Sequence, residues 1–227
     1  MNSLLDTTMQ PLLQLDKICF YYENNRFLLN QLDFSIYAGE HIGLIGSNGC
    51  GKTTLLHVML GLLPPSQGKI IAFGQQRCQQ ADFIKVRAKV GLLFQDADDQ
   101  LFCPTVAEDV AFGPLNLGKS PDEASKIVHQ VLLELGLVNY ENRITYRLSG
   151  GEKRLVSLAT VLAMQPEVLL LDEPTAGLDE QAQSRLIEIL QNLSQATLIV
   201  SHDLSFLQQV TQRILRLQQG QLVNLIC

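Results

Sequence analysis

The sequence predicts an α/β fold: a mostly parallel sheet flanked by helices, with a small antiparallel β subdomain and an inserted α-helical subdomain. Three observations lead there. Short apolar runs at 42–45, 90–94, 168–171 and 197–201 have the length and character of strands buried on both faces. Helix-length segments alternate with them, the pattern of strands joined by crossover helices. Two earlier runs, 13–22 and 29–37, flank the turn-rich patch Glu23-Asn24-Asn25-Arg26 and read as antiparallel strands. At 227 residues, 46% of them apolar and 18% charged, the chain suits one well-buried domain. We read 1–227 as that domain, with its helical part at about 96–165.

Taken in order, residues 1–12 form a loose leader. The run 29–37 alternates, with Leu32, Phe34 and Ile36 on one side and Asp33, Ser35 and Tyr37 on the other. Ala38-Gly39-Glu40 turns the chain into the strand 42–45, and a helix follows at 54–60. The breaker cluster 61–68 leads to a strand at 69–73. The strand 90–94 ends at Gln95, before the acidic loop 96–100. A helical region follows Pro104-Thr105. Ser120 is placed to cap a helix opening with Pro121-Asp122-Glu123, and Ile127, Val128, Val131, Leu132 and Leu135 give the segment 124–137 one apolar face. Ser149-Gly150-Gly151 opens another helix, stopping near Met164 before Pro166. A helix at 179–193, a strand at 197–201, a helix at 204–210 and a hairpin over 214–217 and 222–226 complete the chain.

The chemistry starts at residues 46–53. Gly46-Ser47-Asn48-Gly49-Cys50-Gly51-Lys52-Thr53 has two glycines spaced around four residues, then Lys-Thr, between a strand and a helix. Glycines let the backbone curl so that its amides converge on phosphate oxygens, and the helix start at Thr54 adds its own unpaired amides. Lys52 is placed to reach the terminal phosphates and Thr53 to ligate magnesium. A chance glycine-rich turn requires neither side chain in register, so the segment predicts a P-loop NTPase core that binds a nucleoside triphosphate. Downstream, the strand 168–171 leaves Asp172 at its end, where it can hold the magnesium shell. Glu173, next to it, can polarise an attacking water. Two acids opening a surface turn are the bland alternative, and the preceding buried strand argues against it.

Composition excludes some classes. A net charge of −6 offers no basic excess for a nucleic-acid groove, so no nucleic-acid partner is expected. The five cysteines, at 19, 50, 78, 103 and 227, are odd in number and lack metal-ligand spacing. The four histidines, at 41, 57, 129 and 202, are scattered. Residues 1–15 carry no basic start of a signal peptide, and the longest apolar runs fall far short of the ~20 residues that span a bilayer.

Leu148-Ser149-Gly150-Gly151-Glu152 alone is an ordinary helix start. Together with the phosphate loop and LLLDEP, it resembles the ATP-binding cassette family over nearly the whole chain. The resemblance implies two cassettes packed head to tail, with Ser149, Gly150, Gly151 and Glu152 of one closing over ATP held by the other. It further implies Tyr22 (with Tyr21 one position off) stacking on adenine, and Gln95 touching magnesium and water. Asp179, in Ala176-Gly177-Leu178-Asp179, would speak to the opposite cassette, and His202 would contact the γ-phosphate and position the water. Cys50 stands where serine is commonest in the family, either as a small tolerated side chain or as a thiol whose alkylation would lower ATPase activity. FQDADDQLF (94–102), PTVAEDVAFGPLNLG (104–118) and the stretch 148–179 resemble the ATPases of energy-coupling-factor importers, above all those for cobalt or nickel, with a vitamin importer or another ABC transporter as the alternative. That implies a second ATPase subunit, a transmembrane scaffold, a substrate-capturing membrane subunit, and a peripheral place on the cytoplasmic face of the cell membrane. The loop after Gln95 faces the membrane subunit in that family, so Asp96, Asp98 and Asp99 would either receive basic side chains from it or stand as an ordinary solvated loop.

Overall fold

The structure, a computed structural model, describes residues 10–22 and 27–225. Most of the leader, the Glu23–Arg26 patch and Ile226 lie outside the described residues. Two sheets organise the chain. Strands β1 (Leu13–Tyr21), β2 (Phe27–Ile36), β4 (Gln67–Ala72) and β5 (Gln75–Arg77) form an antiparallel sheet in the order β2-β1-β4-β5. Six others, β3 (His41–Ile45), β6 (Val90–Leu93), β7 (Val168–Asp172), β8 (Ala196–Val200), β9 (Arg213–Gln218) and β10 (Gln221–Asn224), form a sheet in the order β10-β9-β3-β8-β7-β6. That sheet is parallel except for the terminal hairpin β9–β10.

Helix α1 (Lys52–Met59) sits between the sheets, with Leu55, Leu56, Val58 and Met59 fully buried. Both sheets claim most of it, and only Lys52, Thr53 and His57 stay half-buried or exposed. Val168 and Leu170 of β7 face this layer together with Ile42, Leu198 and the inner residues of β1 and β2. Leu169 and Leu171 face the opposite layer, packed with α3 (Val106–Asn116), α4 (Pro121–Glu134), α5 (Gly150–Leu162), α6 (Glu180–Gln191) and α7 (Leu204–Val210). The period-2 geometry of a strand thus serves two cores, which is why β7 reads as unbroken apolar sequence.

The helix expected to open at Pro121 and run to Leu137 opens there and ends at Glu134. Ser120 caps it as anticipated, in a reciprocal box with Glu123, and proline fits the first turn, where no amide partner is needed. Leu135 and Leu137 stay buried beyond the helix, so their apolar period extended the reading by three residues. Helix α2 (Gln80–Arg87) and strand β5 had no reading of their own. Only Phe83 and Val86 of α2 are buried, too few to set a period. The helical region expected after Pro104-Thr105 resolves into α3, whose capping box pairs Thr105 with Glu108.

Candidate active site at the strand ends

Each parallel strand from β3 to β6 delivers one part of the site at its carboxyl end, where an open α/β sheet places ligands. β3 runs into the loop 46–51, β8 into His202, β7 into Asp172 and Glu173, and β6 into Gln95. Because β3, β8, β7 and β6 are neighbours in that order, the four motifs stand side by side although the sequence scatters them.

Gly51 closes the loop with φ +110°, and a Cβ there would stand 2.8 Å from Leu28 Cγ. Gly46 is as constrained: a Cβ would fall 2.6 Å from Cys50 Sγ and 2.9 Å from the Leu217 carbonyl. The Cys50 side chain therefore turns back against the loop's own backbone and packs on the core, away from the loop's open face. Helix α1 starts at Gly51 with no side-chain cap and no acid in its first turn. Helices α3 to α7 are each capped by a side chain, from Thr105, Ser120, Ser149, Asp179 and Asp203. The first-turn amides of α1 are thus left for an outside acceptor, the arrangement that binds anions.

Lys52 Nζ donates to the carbonyls of Gly46 (2.8 Å) and Ser47 (3.2 Å), which holds the ammonium across the loop. Thr53 Oγ1 donates to Asp172 Oδ2 at 2.6 Å. Asp172 is 3% exposed, and burial pushes its carboxyl above the usual range, against the Thr53 hydroxyl, which favours the charged form. Glu173 adopts φ +48°, a left-handed conformation uncommon outside glycine, and its amide donates to the Val200 carbonyl at 2.9 Å. That turn swings its carboxylate out of strand direction, and Oε2 lies 2.9 Å from His202 Nδ1. With Glu173 ionised, the ring donates through Nδ1.

A cleft of about 460 Å³ is lined by Tyr22, Leu28, Asn48, Gly49, Gly51, Lys52, Thr53, Thr54, Gln95, Asp172 and Glu173. The Tyr22 hydroxyl is 3.2 Å from Thr54 Oγ1, and its ring meets Phe20 edge-on, with centroids 5.0 Å apart. Gly46, Ser47 and Cys50, also expected to hold ATP, are not among the lining residues. His202 reaches the cleft through Glu173.

Ser149, Gly150, Gly151, Glu152 and Asp179 are not among the residues lining that cleft. Gly150 belongs to an adjoining cleft that shares Thr53 and Gln95 and is bounded by Ala176 and Gly177. Ser149 caps α5, its Oγ accepting from the Glu152 amide. Glu152 turns inward, accepting from the Ser149 amide, Tyr140 Oη (2.6 Å) and Arg143 Nη1 (2.9 Å). The Tyr140 hydroxyl leads the groups that hold the Glu152 carboxyl below its ordinary range. Asp179 caps α6. Of the acidic loop, Asp98 is paired with Lys153 and Asp96 accepts from the Asp98 amide. Two of the three carboxylates are thus engaged within the chain.

Sequence reasoning passed over Leu28, which lines the cleft from β2, and Arg154, whose guanidinium donates to the Phe94 and Gln95 carbonyls. For Arg154 a signal existed: a lone cation in the buried run 154–159 needs a polar partner.

A family model described as ABC transporter matches residues 29–176. A Brucella suis protein, named among ABC transporter ATP-binding proteins, is 54% identical over 95% of this chain and 89% of its own. The energy-coupling factor transporter ATP-binding protein EcfA of Methanothermobacter thermautotrophicus is 42% identical over 93% of this chain and 70% of its own. The solved structure of cbiO1 from Clostridium perfringens, described as part of the ABC transporter complex cbiONQ, superposes with a TM-score of 0.85 at 32% identity. It covers 94% of this chain and 87% of that one. The fold and the strand-end site define an ATP-hydrolysing cassette. The chain belongs to the ABC transporter family, as its ATP-binding subunit.

Proposed function

We propose that this chain hydrolyses ATP to energise an energy-coupling-factor type importer whose cargo is cobalt or nickel ions. The observation that carries the catalytic part is the convergence of Lys52, Thr53, Gln95, Asp172 and Glu173 on one cleft, with His202 bonded to Glu173. The importer part draws on the likeness to EcfA and to cbiO1.

In this reading the loop amides, Lys52 and the first turn of α1 bind the β- and γ-phosphates. Magnesium fits the donor set: the Thr53 hydroxyl, the Asp172 carboxylate and the Gln95 amide are hard oxygen donors on one cleft. Among the described residues no group of three or more His, Cys, Asp and Glu offers a closed cage, and magnesium bound with phosphate needs none. Bound there, the ion screens the charge of the phosphates. Glu173 takes the proton of the attacking water, and His202 orients that carboxylate and meets the γ-phosphate. Ser149 and Gly151 act on ATP held by a second cassette.

Tyr22 stacks on adenine. Tyr22→Ala is therefore expected to weaken ATP binding about 5- to 150-fold, from ~1–3 kcal/mol of lost stacking. Affinity for inorganic triphosphate should stay unchanged. Titration of a fluorescent ATP analogue, with triphosphate as competitor, checks both.

No helix among the described residues is long and apolar enough to cross a membrane, so the proposal places the chain peripherally on the cytoplasmic face, beneath other subunits. The exposed rings of Phe102 and Phe112, edge-on with centroids 4.8 Å apart and lining one cleft with Phe94, support a membrane-subunit contact there. Purification of the chain from detergent-solubilised membranes tests this reading. A small transmembrane scaffold and a capture subunit carrying cobalt or nickel are the expected companions. A vitamin in the capture subunit would overturn the cargo alone, and recovery free of membrane proteins would overturn the transport assignment.

A further inference from the structure

Gln95 sits at the end of β6, the edge strand of the parallel sheet, where no further strand holds the backbone. What holds it instead is α5. Arg154, on the second turn of that helix, is 5% exposed. Its guanidinium donates through Nη1 to the Phe94 carbonyl at 2.6 Å and through Nη2 to the Gln95 carbonyl. Two donors of one rigid fork on two consecutive carbonyls fix the orientation of both peptide planes, and hence where the Gln95 side chain leaves the backbone. A lysine can reach two carbonyls, as Lys52 does, but from one rotatable ammonium rather than a planar fork, so it fixes their planes less firmly. Burial draws the guanidinium below its ordinary range, and the negative charges of Asp96, Asp172 and Glu173 act against that.

The same helix grips the rest of the segment. Lys153 Nζ pairs with Asp98. Gln100 Nε2 donates to the Ser157 carbonyl (2.9 Å) and to Thr160 Oγ1 (2.8 Å), while its Oε1 accepts from the Phe94 amide at 3.2 Å. Residues 94–100 are therefore bolted to α5 at three points. The amino end of α5 is Ser149-Gly150-Gly151, five residues before Arg154.

We propose that Arg154 is a positioning residue that makes α5 and Gln95 one mechanical unit, so that the seating of Ser149–Gly151 against a partner's nucleotide sets the place of Gln95 in this chain's own cleft. The proposal rests on the reading of Gln95 as a group serving the reaction. Arg154 touches neither phosphate nor water; it acts through the backbone of Gln95.

The test is a double-mutant cycle on the full chain, with ATP turnover, binding of a fluorescent ATP analogue and thermal unfolding measured for each member. Arg154→Lys keeps the buried charge and loses the fork, so it is the variant to use should Arg154→Met fail to fold. Arg154→Lys is expected to lower kcat about tenfold or more, as misplacement of a reacting group does, with KM and analogue affinity within about twofold of the parent. In a Gln95→Ala background the same substitution should cost no more than about twofold, because its effect is already spent. Full additivity of two costly single substitutions would overturn the proposal and leave the role of Gln95 standing. A harmless Gln95→Ala would overturn the reading of Gln95 itself. Parallel losses of analogue affinity and thermal midpoint in Arg154→Lys would reduce the residue to a structural one and overturn the proposal too.

Discussion

Glu173→Gln is expected to lower kcat about 10²–10⁴-fold, the range that a positioned general base contributes, while ATP still binds. The exchange is close to isosteric, so the reason lies in charge rather than shape. The carboxylate stands outside the strand direction because its own backbone adopts φ +48° and its amide is tied to the Val200 carbonyl. A residue held in so unfavourable a conformation is maintained by its surroundings, here β7 beside β8. Glutamine can occupy the same place and accept from His202 Nδ1, 2.9 Å away in the parent, but it cannot take a proton from water. Glutamine leaves the phosphate loop and Lys52 untouched, so affinity for an ATP analogue should stay within about twofold, since only an interaction of the transition state is removed. Phosphate release and analogue titration on the same preparation decide it. Turnover near the parental rate would place the base elsewhere, and loss of both properties would show that Glu173 holds the cleft together.

Much of this arrangement is legible in sequence because the parts that carry chemistry sit where strong local signals end. An apolar run such as Val168–Leu171 reads as a strand buried on both faces, so the acids that follow it stand at the carboxyl end of an interior strand. The glycines at 46 and 51 announce a loop because nothing larger fits beside Cys50, Leu217 and Leu28. Ser120 and Asp179 were readable as helix starts because capping chemistry is local. What stayed hidden is non-local. Neither Leu28 against Gly51 nor Arg154 beneath Gln95 has a partner within reach along the chain; the latter contact spans 59 positions. The three exposed or half-exposed polar residues of β5 carry no strand pattern, and only pairing with β4 makes them one. The acidic loop shows the opposite failure: its charge is plain in sequence, but its partner Lys153 lies on another element.

Ser149 to Gly151 pose the last question, because they cap their own helix and yet line no part of the nucleotide cleft described above. If they complete a site on an opposing cassette, two different defects in one chain should cancel when mixed. Lys52→Ala removes the ammonium from the phosphate loop and should weaken ATP binding about ten- to hundredfold, the cost of a lost charged hydrogen bond. Gly151→Asp leaves that loop intact. A Cβ at Gly151 meets nothing closer than Leu178 Cδ2 at 3.6 Å, and an acid in the first turn suits the helix dipole, so folding should be unaffected. Its carboxylate would nevertheless repel a phosphate brought to the helix start. Each variant alone carries a fault at both sites of a symmetric pair and should lose at least about 10² in turnover. In an equal mixture about half the pairs are mixed, and each mixed pair holds one site with both faults and one with neither. Turnover should then return to about a quarter of the parental rate. Recovery of that size places half of every site on a second copy of this chain. Two inactive variants that stay inactive together, while pairs still form, would assign that half to a different cassette.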